Sequence, residues 1–182
     1  AVYAPGKTRN PHNPEHTPGG SSSGSAAAVA CNMIPAALGT QTNGSVIRPA
    51  SYCGVYGYKP IHGLISRSGI LDISRALDTV GVFARSIEDL GLIASAIMTY
   101  DEYDTDMRPL AVPKLADIAL SAPPVEPDLV FMQTPIWNDL EGTTQEAFAE
   151  LMDVLGPRCE AQELPYPFED AWRWHKTIML TD

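Results

Sequence analysis

Gly19-Gly20-Ser21-Ser22-Ser23-Gly24-Ser25-Ala26-Ala27-Ala28-Val29-Ala30 is followed, after a short apolar bridge, by Gly39-Thr40-Gln41-Thr42-Asn43-Gly44-Ser45-Val46-Ile47-Arg48-Pro49-Ala50. Serine and glycine at this density are common in flexible linkers. A linker would not carry the apolar stretch from Ala26 to Leu38 between its polar ends. The economical reading is a pair of tight turns, each opening a helix, that present hydroxyls and backbone amides to one place. Asn43-Gly44 tolerates left-handed backbone and can turn successive N–H groups the same way. Such a nest beside Ser45 is what an oxyanion hole needs. A plain β-turn that carries a serine fits the same residues. Arg48, before Pro49, suits the first turn of a helix.

Outward from this stretch, strands and helices interleave. Residues 1–20 hold four prolines and read as an extended lead-in. Gly24–Ala30 is helix-compatible, and 34–39 and 55–58 read as short buried strands. Residues 60–85 read as turns with short extended pieces. Ser86 with Asp89 forms a capping box before Leu90, Ile93, Ala94 and Ile97 at helical spacing. Asp101–Asp106 reads as a solvated acidic loop, and 109–127 as a Pro-rich connection. Leu129–Met132 reads as a buried strand. Thr143 and Glu146 are expected to cap a helix with Phe148, Leu151, Met152 and Leu155 inward, stopped by Gly156-Pro157. Pro167 is expected to open a third helix with Phe168, Ala171, Trp172 and Met179 on one face. The pattern predicts an α/β layered fold, a mixed central sheet flanked by helices. Residues 1–100 form its core with both serine clusters, and 101–182 continue the same domain.

The 182 residues suffice for a core without disulfides. Three cysteines without metal-type spacing favour a reducing compartment. With no apolar leader and no run of 18 apolar residues, a cytoplasmic protein without membrane contact is expected. Residues 1–85 carry seven Lys/Arg against three acids, and 86–182 five against nineteen. That acidic half argues against nucleic-acid binding, which rests on Lys/Arg density.

Other constellations resolve to ordinary features. Gly20–Gly24 satisfies a Gly-x-Ser-x-Gly pattern with Ser22 central, but a nucleophile elbow needs a hydrophobic strand before it. Here Pro14 to Gly19 precede it, which cannot be a central strand. His12 and His16 lie four apart in a Pro-rich segment, so no metal pair is expected. His175 reads as a core or rim residue, and Lys59 as a surface or salt-bridged one. No cofactor is implied.

Taken together, the two serine stretches resemble the amidase signature family. Tyr52–Pro60, Gly63–Gly69, Leu77-Asp78-Thr79-Val80-Gly81 and Ala84–Asp89 extend the resemblance densely over about residues 5–100, and Gln133–Trp137 more loosely. The family hydrolyses amides through a Ser–cis-Ser–Lys triad. The resemblance implies Ser45 as nucleophile and Ser21, after a cis peptide bond, as the bridging serine. It implies Thr42, Asn43, Gly44 and Ser45 amides as the oxyanion hole and Ser22 as a supporting serine. Arg48 falls at a position that contacts a substrate carboxylate in some relatives.

Three departures stand out. Asn43 and Asn32 each replace a usual glycine. The family lysine, the general base, lies several tens of residues upstream of the bridging serine, and Lys7 does not match it. The family's C-terminal portion is also unmatched. The expectation is therefore an amide hydrolase acting on a small-molecule amide, read as a central piece of an amidase. Self-association, or a complementing chain that brings the base, follows from that reading. Two alternatives remain. One is a catalytically incomplete fragment or subunit that binds amides without hydrolysing them. The other is an amidotransferase A-type subunit releasing ammonia from glutamine. Gln41, where that subunit more often has Asp, and Arg48, shifted one place from its Ile-Arg, favour the stand-alone amidase.

Overall fold

The computed structural model describes residues 6–181. They divide into two compact units, one made of the residues up to Ser121 together with those from Met179 on, the other of Ala122–Ile178.

The first unit contains α1 (Ser23–Ala30), β1 (Ala36–Gln41), α2 (Ile47–Cys53), β2 (Tyr56–Tyr58), β3 (Thr79–Ala84), α3 (Ile87–Ile97) and α4 (Leu115–Leu120). Its sheet runs β1-β3-β2, antiparallel throughout. β3 is the strand that sequence periodicity does not reveal. Thr79-Val80-Gly81-Val82-Phe83-Ala84 is buried at every position. A strand flanked on both edges and covered on both faces has no polar side to alternate with, so it reads as a plain apolar run.

The core lies around this strand. Ala26, Ala27 and Val29 of α1 pack with Val46, with Ala50 and Cys53 of α2, and with Phe83. A second cluster joins Val80 and Val82 to Ile65, Ala94 and Met98. Burying each Val or Phe here contributes about 1.5–3 kcal/mol. α1 can lie close because its packed face is almost all alanine.

Local rules account for the rest of this unit. Ser86 caps α3 by accepting from the Asp89 amide at 3.0 Å, the N-cap half of the expected capping box. β1 begins two residues later than expected, and neither it nor β2 is buried as expected: as edge strands they leave Leu38 and Tyr56 exposed. Asn32 adopts φ +58°, a left-handed conformation that Asn tolerates next best after glycine. No sequence signal announces α4 inside the Pro-rich connection. It is held by Ser95, whose hydroxyl donates to Pro113 O and accepts from the Leu115 amide, both at 3.1 Å.

The 101–106 loop is solvated at Glu102, Tyr103 and Thr105, as expected, but its aspartates also tie it down. Asp101 accepts from Ser66 Oγ at 2.6 Å, and Asp104 accepts from the Arg67 amide at 2.7 Å. Asp106 pairs with buried Arg67 and with Arg75. A buried guanidinium needs such partners, and the loop supplies them.

The second unit contains β4 (Leu129–Met132), α5 (Gly142–Leu155), β5 (Cys159–Gln162) and α6 (Ala171–Thr181) as far as Ile178. β4 and β5 pair in parallel, which requires a crossover, here α5. The antiparallel and parallel pairings thus lie in two separate sheets. β5 has no signature in the sequence because Cys159-Glu160-Ala161-Gln162 is a mostly exposed, polar strand.

Three expectations about the helices fail. α5 starts at Gly142 without a side-chain cap. Glu141 O accepts from the Thr144 and Gln145 amides instead. Its apolar face is only partly inward: Met152 and Leu155 are half-buried, but Phe148 and Leu151 are 38% and 48% exposed. A two-stranded sheet has too little surface to cover it. Phe148 does meet Phe131 and Trp137 in an aromatic cluster with ring centroids 5.3–5.6 Å apart. Pro167 opens a short 3-10 turn at Phe168–Asp170, and α6 begins only at Ala171, with Phe168 and Trp172 exposed.

Among the described residues no helix is long and apolar enough to cross a membrane.

The loop carboxylates set an acid limit. Asp106 is lowered from the ordinary carboxylate range by its hydrogen bond to Arg75 and by the charges of Arg75 and Arg67. Asp101 is lowered by hydrogen bonds from Ser66, the Tyr103 amide and Ser68. A carboxylate titrating lower when folded stabilises fully above its unfolded value, about pH 4, and loses that contribution as pH falls through the depressed value. The melting temperature should therefore fall as pH drops below about 4. The double variant D101N/D106N should start lower at pH 7 and lose less on acidification. Thermal melts from pH 7 to pH 2 would show it.

Candidate active site

β1 carries the chain out of the sheet at Gln41, and α2 receives it at Ile47. The Thr42–Val46 turn between them is ordered by its neighbours. Gln41 Oε1 accepts from the Val46 and Ile47 amides at 2.9 and 3.0 Å, so a side chain from the end of β1 serves the start of α2. The Arg48 amide donates to Gly44 O at 2.8 Å. The left-handed residue of the Asn43-Gly44 pair is Gly44, at φ +82°, which spares Asn43 that conformation. Ser45 is half-buried.

The other serine cluster is laid against this turn. The Gly20–Ser21 peptide bond is cis. The Ser22 amide donates to Ser45 O at 3.3 Å, Ser22 Oγ to Thr40 O at 3.3 Å, and Ser25 Oγ to Leu38 O at 2.7 Å. The chain entering α1 is thereby stitched along β1. Arg48 completes the junction: its guanidinium donates to Asn43 O at 2.7 Å and to Gly20 O at 3.4 Å, one carbonyl from each loop. At Gly19, φ +75°, a Cβ would stand 2.9 Å from Pro49 Cα. Glycine is required there because the entering loop passes directly over the first turn of α2.

Ser21, Ser22, Thr42, Asn43, Gly44, Ser45 and Arg48 therefore share one corner of the first unit. Two of the histidines serve as loop anchors instead. His12 Nε2 meets Cys53 O, and His62 Nε2 meets Arg75 O, both at 2.9 Å. Lys59 Nζ donates to Pro60 O. Cys53, at the end of α2, is buried, and burial, then the neighbouring Cys31, pushes its thiol up; Sγ donates to Pro18 O at 3.4 Å. Among the described residues no His/Cys/Asp/Glu group is arranged to hold a metal ion. A cavity of about 840 Å³ lies in the second unit beside Phe131, Trp137 and Gln162, and no residue of the serine corner lines it.

Two supporting residues are not legible in the sequence. Gln41 sits beside the nest, where the sequence marks it only as a departure from a relative. Asp78, whose carboxylate accepts from Thr42 Oγ1, lies in the Leu77–Gly81 motif with nothing local to show its role.

Residues 2–168 match the Amidase family, and the chain belongs to it. It is 40% identical over 162 residues to the A-type subunit of glutamyl-tRNA(Gln) amidotransferase from Methanosphaera stadtmanae, covering 89% of this chain and 32% of that protein. The solved structure of the corresponding Thermotoga maritima protein superposes with TM-score 0.82 at 36% identity, over 97% of this chain and 39% of that one. Native peptide amidase from Stenotrophomonas maltophilia gives TM-score 0.74 at 33% identity, over 95% and 36%. The chain thus spans about a third of the length of these relatives.

The tight approach at Gly19 is open to test. Gly19→Ala should destabilise the protein by about 1–3 kcal/mol, through overpacking on Pro49 and a strained φ. Gly142→Ala, where a Cβ meets nothing within 4 Å, should be neutral or slightly stabilising. Urea denaturation of both variants makes the comparison.

Proposed function

We propose that the protein carrying this sequence hydrolyses small-molecule amides at the serine corner. Ser45 Oγ attacks the amide carbonyl carbon, and the Thr42–Ser45 amides receive the oxyanion. Ser21 relays the serine proton toward the leaving nitrogen, the C–N bond breaks, and ammonia or an amine departs. Water then attacks the acyl ester and releases the carboxylate, restoring the Ser45 hydroxyl. Ser22 supports the corner through its bond to Ser45 O. The observation that carries this reading is the direct joining of the two serine loops in a member of the Amidase family.

A serine hydroxyl near neutral pH needs an activating base. None of Lys7, Lys59, Lys114 and Lys176 matches the family lysine, so the proposal takes the base from outside these 182 residues, in the same polypeptide or a complementing chain. Arg48 enters first as a clamp on two carbonyls. A guanidinium has five N–H donors, so it can clamp and still meet a substrate carboxylate.

A second reading is favoured by the relatives. At 40% and 36% identity to amidotransferase subunits of the A type, this chain could serve the same role, with glutamine as ammonia source and the other amidotransferase chains as partners. The substrate range separates the two.

Ammonia release should be measured with the full-length protein over small primary amides and glutamine. Ser45→Ala is expected to lower it by about 1,000-fold or more. Activity on varied amides marks a stand-alone amidase, and activity on glutamine alone marks the amidotransferase role. Turnover that survives Ser45→Ala overturns the nucleophile assignment. Arg48→Ala should weaken anionic amides more than neutral ones, and an equal loss would remove the carboxylate role and leave only the clamp.

A further inference from the structure

We propose that Asp78 is a positioning residue for the Thr42–Ser45 turn, acting through the Thr42 hydroxyl. The sheet register sets this up. Gln41 pairs with Thr79, so the residue leaving β1, Thr42, faces the residue entering β3, Asp78. Asp78 is buried, with 8% of its surface exposed. Both of its oxygens are engaged. Oδ1 accepts from Thr42 Oγ1, and Oδ2 accepts from the Ile73 and Ser74 amides at 2.6 and 3.0 Å. The Asp78 amide itself donates to Ser74 O at 2.9 Å. A buried carboxylate is tolerated because these donors satisfy it.

The result is a strut. It links the first residue of the nest to the 73–78 loop and to β3, the strand held on both edges. Arg48 from α2, and the Gln41 side chain reaching over from the end of β1, hold the far side of the turn, and Asp78 fixes the near side from the sheet. Oxyanion donors work only when held within about 0.5 Å of their place. A turn anchored at one end alone would not meet that tolerance.

The catalytic consequence rests on the hydrolase reading, whereas the structural one does not, and the experiment keeps them apart. Thr42→Val removes the hydroxyl at nearly constant volume, and Asp78→Ala removes the strut. Asp78→Asn can keep all three contacts, since its oxygen accepts both amides and its nitrogen donates to Thr42 Oγ1. Amide hydrogen exchange over residues 41–47 of the full-length protein is read without substrate, followed by kcat and KM for ammonia release.

Thr42→Val and Asp78→Ala should speed exchange in this segment by about tenfold or more while α3 stays protected. They should lower kcat on the order of 10–100-fold with KM little changed. Asp78→Asn should stay near wild type, and the pair Asp78→Ala/Thr42→Val should be no worse than Asp78→Ala alone. Wild-type exchange in Thr42→Val, or Asp78→Asn as damaging as Asp78→Ala, overturns the inference. A protein that releases no ammonia yet loosens as described defeats the hydrolase reading and upholds the strut.

Discussion

β3 is held on both edges, by β1 and by β2, and every one of its side chains is buried. The rest of the first unit is arranged around that strand. α1 and α2 press on Phe83 from one side, and Ile65, Ala94 and Met98 meet Val80 and Val82 in the second cluster. Once β1 is in register with β3, the position of its C-terminal end is decided, and with it the starting point of the turn that bears Ser45. A strand buried to this degree opens only with the global unfolding of its unit. The serine corner is therefore mounted on the least mobile kind of element available.

Five hydrogen bonds, made by Ser22, Arg48 and Gln41, convert that rigid base into a defined corner. Ser22 N to Ser45 O joins the two loops directly. Arg48 spans them from the solvent side, and the Gln41 amide oxygen gathers the first amides of α2. Every one of these bonds has a backbone group on at least one side, so the two loops and α2 are tied main chain to main chain. The density of serine, threonine and glycine in this stretch has a mechanical sense. Hydroxyls stitch chain to chain, and glycine permits the contact at Pro49.

Much of this is legible in the sequence, and the failures have a common cause. Local signals read well: the Ser86 cap, the position though not the burial of the 129–132 strand, the helix after the first serine cluster and the Asn43-Gly44 turn all depend on neighbours in sequence. β3 is hidden because complete burial erases alternation, and β5 because an exposed polar strand has none to show. The faces of α5 and α6 read as inward from periodicity alone, but periodicity names a face without naming what covers it. In the candidate site, the residues proposed to carry the chemistry come from resemblance. Gln41 and Asp78 act only through partners, Asp78 through one 36 residues away in sequence, and no local pattern reveals such a pair.

The central claim is that the β1–α2 turn presents Ser45 as the nucleophile of an amide hydrolase. Treating the full-length protein with a fluorophosphonate and locating the adduct by peptide mass spectrometry tests it most directly, because the reagent reports the activated oxygen itself. One phosphonyl group on Ser45, lost in Ser45→Ala, is the expected result. An adduct on another serine, or none on a protein that releases ammonia, would contradict it.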